Sequence, residues 1–162
     1  MILTNSSAAK VGGTNVTAIA SATASFRQLM CYLSTTISTA LTGTRGLIKN
    51  GAGQLTLSGT CNYTGPTQIN DGTLEVTAAS TLNGVISGSG TLRKTGTAIL
   101  TIGGNNTYAG GTSYVAAGTS AYILYTSSNA FGTGLLTVSN AVGRIDTSAN
   151  VTLPNDFQLT TA

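Results

Sequence analysis

The segment from Leu47 to Gly72 recurs from Leu92 to Gly118, and this self-similarity constrains the fold more than any other feature of the chain. The first copy reads LIKNGAGQLTLSGTCNYTGPTQINDG and the second LRKTGTAILTIGGNNTYAGGTSYVAAG. Aligned, Lys49 meets Lys94, Gly51 meets Gly96, Leu55 meets Leu100 and Leu57 meets Ile102. Gly59 then meets Gly104, Tyr63 meets Tyr108, Gly65 meets Gly110 and Thr67 meets Thr112, with a slip before Gly72 and Gly118. A period of about 45 residues marks a stacked architecture, in which each unit buries its apolar row against its neighbours.

Within the repeats the hydrophobic period is two. Leu55/Leu57, Leu74/Val76, Leu100/Ile102, Leu136/Val138, Val151/Leu153 and Phe157/Leu159 alternate with Thr, Ser, Gln or Glu, which puts one row on each face of a short strand. Asn50-Gly51, Asn70-Asp71-Gly72, Asn83-Gly84 and Pro154-Asn155 supply turns between them. Short strands at this spacing suit a sandwich or a solenoid, and the internal repeat decides for an all-β solenoid. Two coils per repeat are expected, about five coils in all, stacked ~4.8 Å apart. On that geometry Leu55 lies next to Leu100 through the stack, and Tyr63 and Tyr108 form an aromatic ladder.

Residues 1–45 lack the repeat and read as a separate arm and docking segment ahead of the solenoid of 46–162. Phe26, Leu29, Met30, Leu33 and Ile37 recur at spacings of three and four, which predicts a capping helix within 22–41. The β-branched Thr35, Thr36, Ile37 and Thr39 oppose it and favour a first coil of strands. The apolar stripe exceeds what one coil end needs, so these five residues are the candidate docking surface.

Composition limits the chemistry. Only 7% of the 162 residues are charged and none is histidine, so one chain holds no Ser-His-Asp or Cys-His system and no imidazole metal site. The net charge of +3 comes from Lys10, Arg27, Arg45, Lys49, Arg93, Lys94 and Arg144 against four acids. Only Arg93 and Lys94 are adjacent, which is no basic stripe for nucleic acid, and the cations read as solvated rims of turns. Asp71 and Glu75 form the one local acidic pair. Asp71 suits a turn and Glu75 an outward strand position, which leaves no catalytic pair. Cys31 and Cys61 read as buried small residues rather than a bridge. No apolar run is long enough to insert in a membrane as a helix, and Val11–Ala20 is too polar for an export signal.

The blocks resemble the autotransporter-associated β-strand repeat of bacterial passenger domains. The parts that carry the likeness are L-x-K-x-G at Leu47–Gly51, the L-T-L-S-G strand at Leu55–Gly59, Asn62–Thr67, and Gly-Thr-Leu at 72–74. Copy two departs where Gly118-Thr119-Ser120 replaces the closing Gly-Thr-Leu. The resemblance covers residues 46–159 and implies a right-handed β-solenoid without catalytic residues or cofactor. Two contexts follow for a non-enzymatic structural surface protein. The first is a decoration, cement or fibre component on a virion such as a phage capsid. It would be homotrimeric, docked through its N-terminal segment on an underlying protein shell or fibre. Initial Met1, the missing export signal and the absence of a translocating barrel favour it. The alternative is a fragment of an autotransporter passenger or adhesin at the bacterial surface, with cell-surface glycans as a further partner class.

Overall fold

Leucine, isoleucine and valine alternating with hydroxyl residues give short strands whose apolar rows all turn toward one axis. The computed structural model describes residues 9–11, 29–31, 34–140 and 142–160, with side chains from residue 34 onward. Every regular element among them is a strand. Sheet A contains β1 (Ala9–Val11), β2 (Leu29–Cys31), β4 (Leu47–Asn50), β6 (Thr67–Ile69) and β9 (Ile86–Ser87). Sheet B contains β3 (Thr35–Ile37), β5 (Gln54–Leu57), β7 (Thr73–Val76), β10 (Thr91–Lys94), β12 (Thr112–Val115), β14 (Leu136–Ser139) and β16 (Phe157–Thr160). Sheet C contains β8 (Ser80–Leu82), β11 (Ile99–Ile102), β13 (Tyr122–Tyr125) and β15 (Arg144–Thr147). A parallel bridge between Leu41 and Cys61 continues that face, since Thr81 N donates to Cys61 O at 2.8 Å.

All strand pairs among the described residues are parallel; from β2 to β11 the chain visits A, B and C in rotation, counting the Leu41–Cys61 bridge as a place on C, and from β12 on its strands alternate between B and C. The result is a β-solenoid of about 6 turns, one more than the sequence suggests. Leu74 pairs with both Leu55 and Leu92, so one coil takes roughly 20 residues. Leu55, Leu74 and Leu92 form one fully buried column of sheet B, and Leu100 and Ile123 one of sheet C. Corners are tight because glycines stack there. A Cβ on Gly65 would sit 2.3 Å from Gly46 N, and one on Gly84 would sit 2.1 Å from Gly65 O, so a side chain would force the coils apart.

The repeat does not close on whole coils. Copy one occupies β4, β5, Cys61, β6, β7, β8 and β9, seven places on three faces, before β10 opens copy two. Copy one therefore begins on sheet A and copy two on sheet B, a third of a turn away. This corrects the two-coil expectation. Leu55 belongs to sheet B and Leu100 to sheet C, so they share the core without stacking on each other.

The N-terminal expectations change as well. Leu29–Cys31 and Thr35–Ile37 are strands, not parts of a helix, because their register partners Lys49, Asn50, Leu55 and Leu57 extend the ladders to them. The sheets run on across residue 45. Of the docking candidates, Ile37 is 1% exposed and packs in the core, so it offers nothing to a partner. Leu29 and Met30 lie in β2, where only the backbone is described; Phe26 and Leu33 fall outside the described residues. At the far end, Val151–Leu153 forms no strand, and β16 is the outermost strand of sheet B. Phe157 and Leu159 continue the inward row of Leu136 and Val138 there, yet are 55% and 66% exposed.

Candidate functional site

The lysine of each L-x-K-x-G motif stands two residues after an inward leucine, so strand alternation turns it inward too. Lys49 and Lys94 are both fully buried, which corrects their reading as solvated turn rims. Lys49 Nζ donates to Gly51 O at 2.5 Å, to Asp71 O at 2.9 Å and to Asn50 O at 3.3 Å. It thereby ties its own turn to the turn one coil on. Lys94 Nζ donates to Thr95 O. Its register partners are Val76 and the buried Tyr114. Burial lowers the Lys94 ammonium pKa from 10.5 to about 8, and the nearby Glu75 opposes the shift.

Glu75 projects from the opposite face of β7, as alternation with Leu74 and Val76 requires. It is nonetheless only 8% exposed, because neighbouring strands crowd it. Its carboxylate accepts from Gln54 Nε2 at 2.8 Å, Thr56 Oγ1 at 2.9 Å and Thr95 Oγ1 at 3.0 Å, with Arg93 Nη1 at 3.7 Å. Asp71 is exposed, and its Oδ1 accepts from Gly72 N at 2.7 Å. The two acids serve different local networks. Among the described residues no group of three or more His, Cys, Asp or Glu is placed to hold a metal.

The Tyr-x-Gly-x-Thr motif has a concrete role. Tyr63 Oη meets Thr67 Oγ1 at 2.7 Å, and Tyr108 Oη meets Thr112 Oγ1 at 2.5 Å, all four residues buried. Each pair gives a buried tyrosine hydroxyl a partner in the core, and Thr112 Oγ1 also reaches Phe131 O at 3.4 Å. Tyr63 makes its bond to sheet A and Tyr108 to sheet B, so the rings stand at different corners and not in one ladder. Burial lifts both phenols well above their usual range. A ring this deep offers no platform to a sugar.

Cys61 and its repeat counterpart Asn106 fill the corresponding corners differently. Cys61 is buried and free, its thiol donates to Gly59 O at 3.3 Å, and burial raises its pKa to about 11. Asn106 Oδ1 accepts from Ile86 N at 2.7 Å while its Nδ2 donates to Ala130 O at 2.7 Å, joining three successive coils. Sequence reasoning passed over Asn106. Its signal was an Asn at an in-phase position between two glycine turns.

The paired lysines, tyrosines and threonines agree with what a family comparison finds. The family described as Passenger-associated-transport-repeat matches residues 47–76 and 92–119. Two stretches of the chain match this repeat. Both matched blocks open on the strand that carries the buried lysine, so the passenger repeat places each lysine, each Tyr–Thr pair and each glycine corner in turn. Among curated proteins, the chain is 39% identical over 113 residues to the adhesin BmaC autotransporter of Brucella suis biovar 1 (strain 1330). The match covers 62% of this chain and 3% of that protein, so the chain spans a small part of its relative's length. No solved structure matches.

Proposed function

We infer that the chain is a stretch of a bacterial surface adhesin of the autotransporter passenger type, working as a non-enzymatic rod that holds binding surfaces away from the cell. The observation that carries this reading is the pair of passenger repeats wound into one continuous parallel solenoid. The likeness to an autotransporter adhesin supports it independently. No comparison supports the capsid-decoration context preferred on sequence grounds, so the passenger alternative takes its place. A solenoid gains its stability from nearest-neighbour coils, so it lengthens without needing a larger core. Its outer faces carry mostly hydroxyl and amide groups, which stay soluble without much charge.

The test is display. The chain is fused between an export signal and an outer-membrane barrel, and the cells are scored for protease-accessible chain and for adhesion to host matrix and glycan-coated surfaces. Surface exposure with adhesion above that of the barrel alone is expected. Exposure without any gain in adhesion would limit the chain to a spacer, and release of reducing ends from a glycan would overturn the non-enzymatic reading.

A further inference from the structure

We propose that the outer face of sheet A carries a binding groove for an acidic sugar, with Arg45 taking the carboxylate. The groove encloses about 510 Å³ and is lined by Thr44, Arg45, Ile48, Pro66, Gln68 and Ser87, with Gly46 at its corner. That volume lies within the range of small-ligand sites. Ile48, Gln68 and Ser87 come from three successive coils in register, on the side of the sheet opposite the core row. At ~4.8 Å per coil, the floor they make is ~10 Å long, enough for about two sugar rings.

The electrostatics single out Arg45. Among the cations whose side chains are described, Arg93 faces Glu75 at 3.7 Å and Arg144 faces Asp146 at 3.6 Å, while Lys49 and Lys94 are buried. Arg45 is exposed and has no acidic partner among those residues. A guanidinium recognises a carboxylate through two parallel hydrogen bonds. Around it stand the hydroxyls of Thr44 and Ser87 and the amide of Gln68, and the aliphatic surfaces of Ile48 and Pro66 supply an apolar floor. A uronic acid presents this same set: a carboxylate, several hydroxyls and an apolar C–H face.

A peptide strand fits less well. β4 is already paired to β2 and β6, and β6 to β4 and β9; the outer side of β9, the last strand of the sheet, takes backbone bonds from Thr107 N to Ile86 O at 2.8 Å and from Ala109 N to Gly88 O at 2.9 Å, so the floor offers no free backbone edge for strand addition. Ligation here would run through side chains, which suits a sugar. The groove stands on its own residues and does not depend on the adhesin reading.

The test uses the full chain immobilised on a biosensor, with an oligogalacturonate, a neutral oligogalactan and a short oligoglutamate as probes. The oligogalacturonate should bind, with the neutral oligomer at least about tenfold weaker, the loss of one charge-assisted contact. Arg45→Gln should weaken binding by about tenfold and Gln68→Ala by a smaller factor, while Arg144→Gln leaves it unchanged. Circular dichroism and melting of each variant confirm that the fold is kept. No oligogalacturonate binding up to about 10 mM would overturn the proposal. So would equal binding by oligoglutamate, or a loss in Arg144→Gln equal to that in Arg45→Gln.

Discussion

Replacing the two buried lysines by methionine should move stability in opposite directions. At Lys94 the ammonium is held at a pKa of about 8 against 10.5 for a free lysine. At 1.36 kcal/mol per unit, keeping that charge inside costs about 3 kcal/mol at neutral pH relative to a neutral group of the same shape. Lys94→Met keeps the stem, removes the charge and gives up the bond to Thr95 O, a loss of about 1 kcal/mol. The net gain is about 1 to 2 kcal/mol, a rise in Tm of roughly 3 to 6 °C for a chain this size. Lys49 differs because its ammonium satisfies three carbonyls, one of them on the next coil. Lys49→Met strands Gly51 O and Asp71 O and should cost about 3 kcal/mol, lowering Tm by roughly 6 to 12 °C. Calorimetry on the two single variants at pH 7 decides. If Lys94→Met destabilises as much as Lys49→Met, the ammonium at 94 is an equal clamp and the argument from unequal acceptor sets is refuted.

The pH profile follows from the same groups. A lysine depressed to about 8 lets stability rise as pH climbs through 8 toward 10.5. Cys61, raised from 9.0 to about 11, contributes stability that starts to fade above 9, and Tyr63 and Tyr108 theirs above 10. Urea unfolding should therefore show a gain of about 1 kcal/mol from pH 7 to 9 and a decline beyond 10, and Lys94→Met should abolish the gain. Tyr108→Phe should cost about 1 kcal/mol, since Thr112 Oγ1 retains a 3.4 Å contact to Phe131 O; a loss above about 3 kcal/mol would mean that contact does not compensate. Leu100→Ala empties a fully buried site of sheet C and should cost about 2 to 5 kcal/mol by denaturant titration, with a loss below about 1 kcal/mol counting against the shared core.

The strands were legible because burial imposes period two, and the turns because Asn-Gly pairs need few neighbours to form. Gly51 and Gly72 do take the left-handed backbone their turns suggest, with φ of 81° and 65°. The N-terminal helix was misread for a physical reason. A spacing of three and four in a threonine-rich stretch also arises when short strands follow one another round corners, and Thr35 and Ile37 face the core from a strand. The lysines were misread because charge outweighed parity. Leu47 and Lys49 share a face by simple alternation, and so do Leu92 and Lys94, yet a lone lysine in a core is costly until the carbonyls of a turn are there to receive it.

The phase of the repeat lay deeper. Self-similarity identifies residues with equivalent surroundings, a lysine before a glycine turn or a tyrosine four before a threonine, and says nothing of their azimuth. Azimuth depends on how many strand places one repeat spends. Here it includes the single-residue bridge at Cys61 and the two-residue β9, neither long enough to show an alternating pattern. Seven places on three faces turn each copy by one face. Equivalent surface positions therefore look in different directions: Ile48 lies outward on sheet A beside the Arg45 groove, while its counterpart Arg93 lies outward on sheet B against Glu75. One repeat sequence, varied only at its outward positions, can in this way place distinct chemistry on distinct sides of one rod while its inward lysines, tyrosines and threonines keep the coils in register.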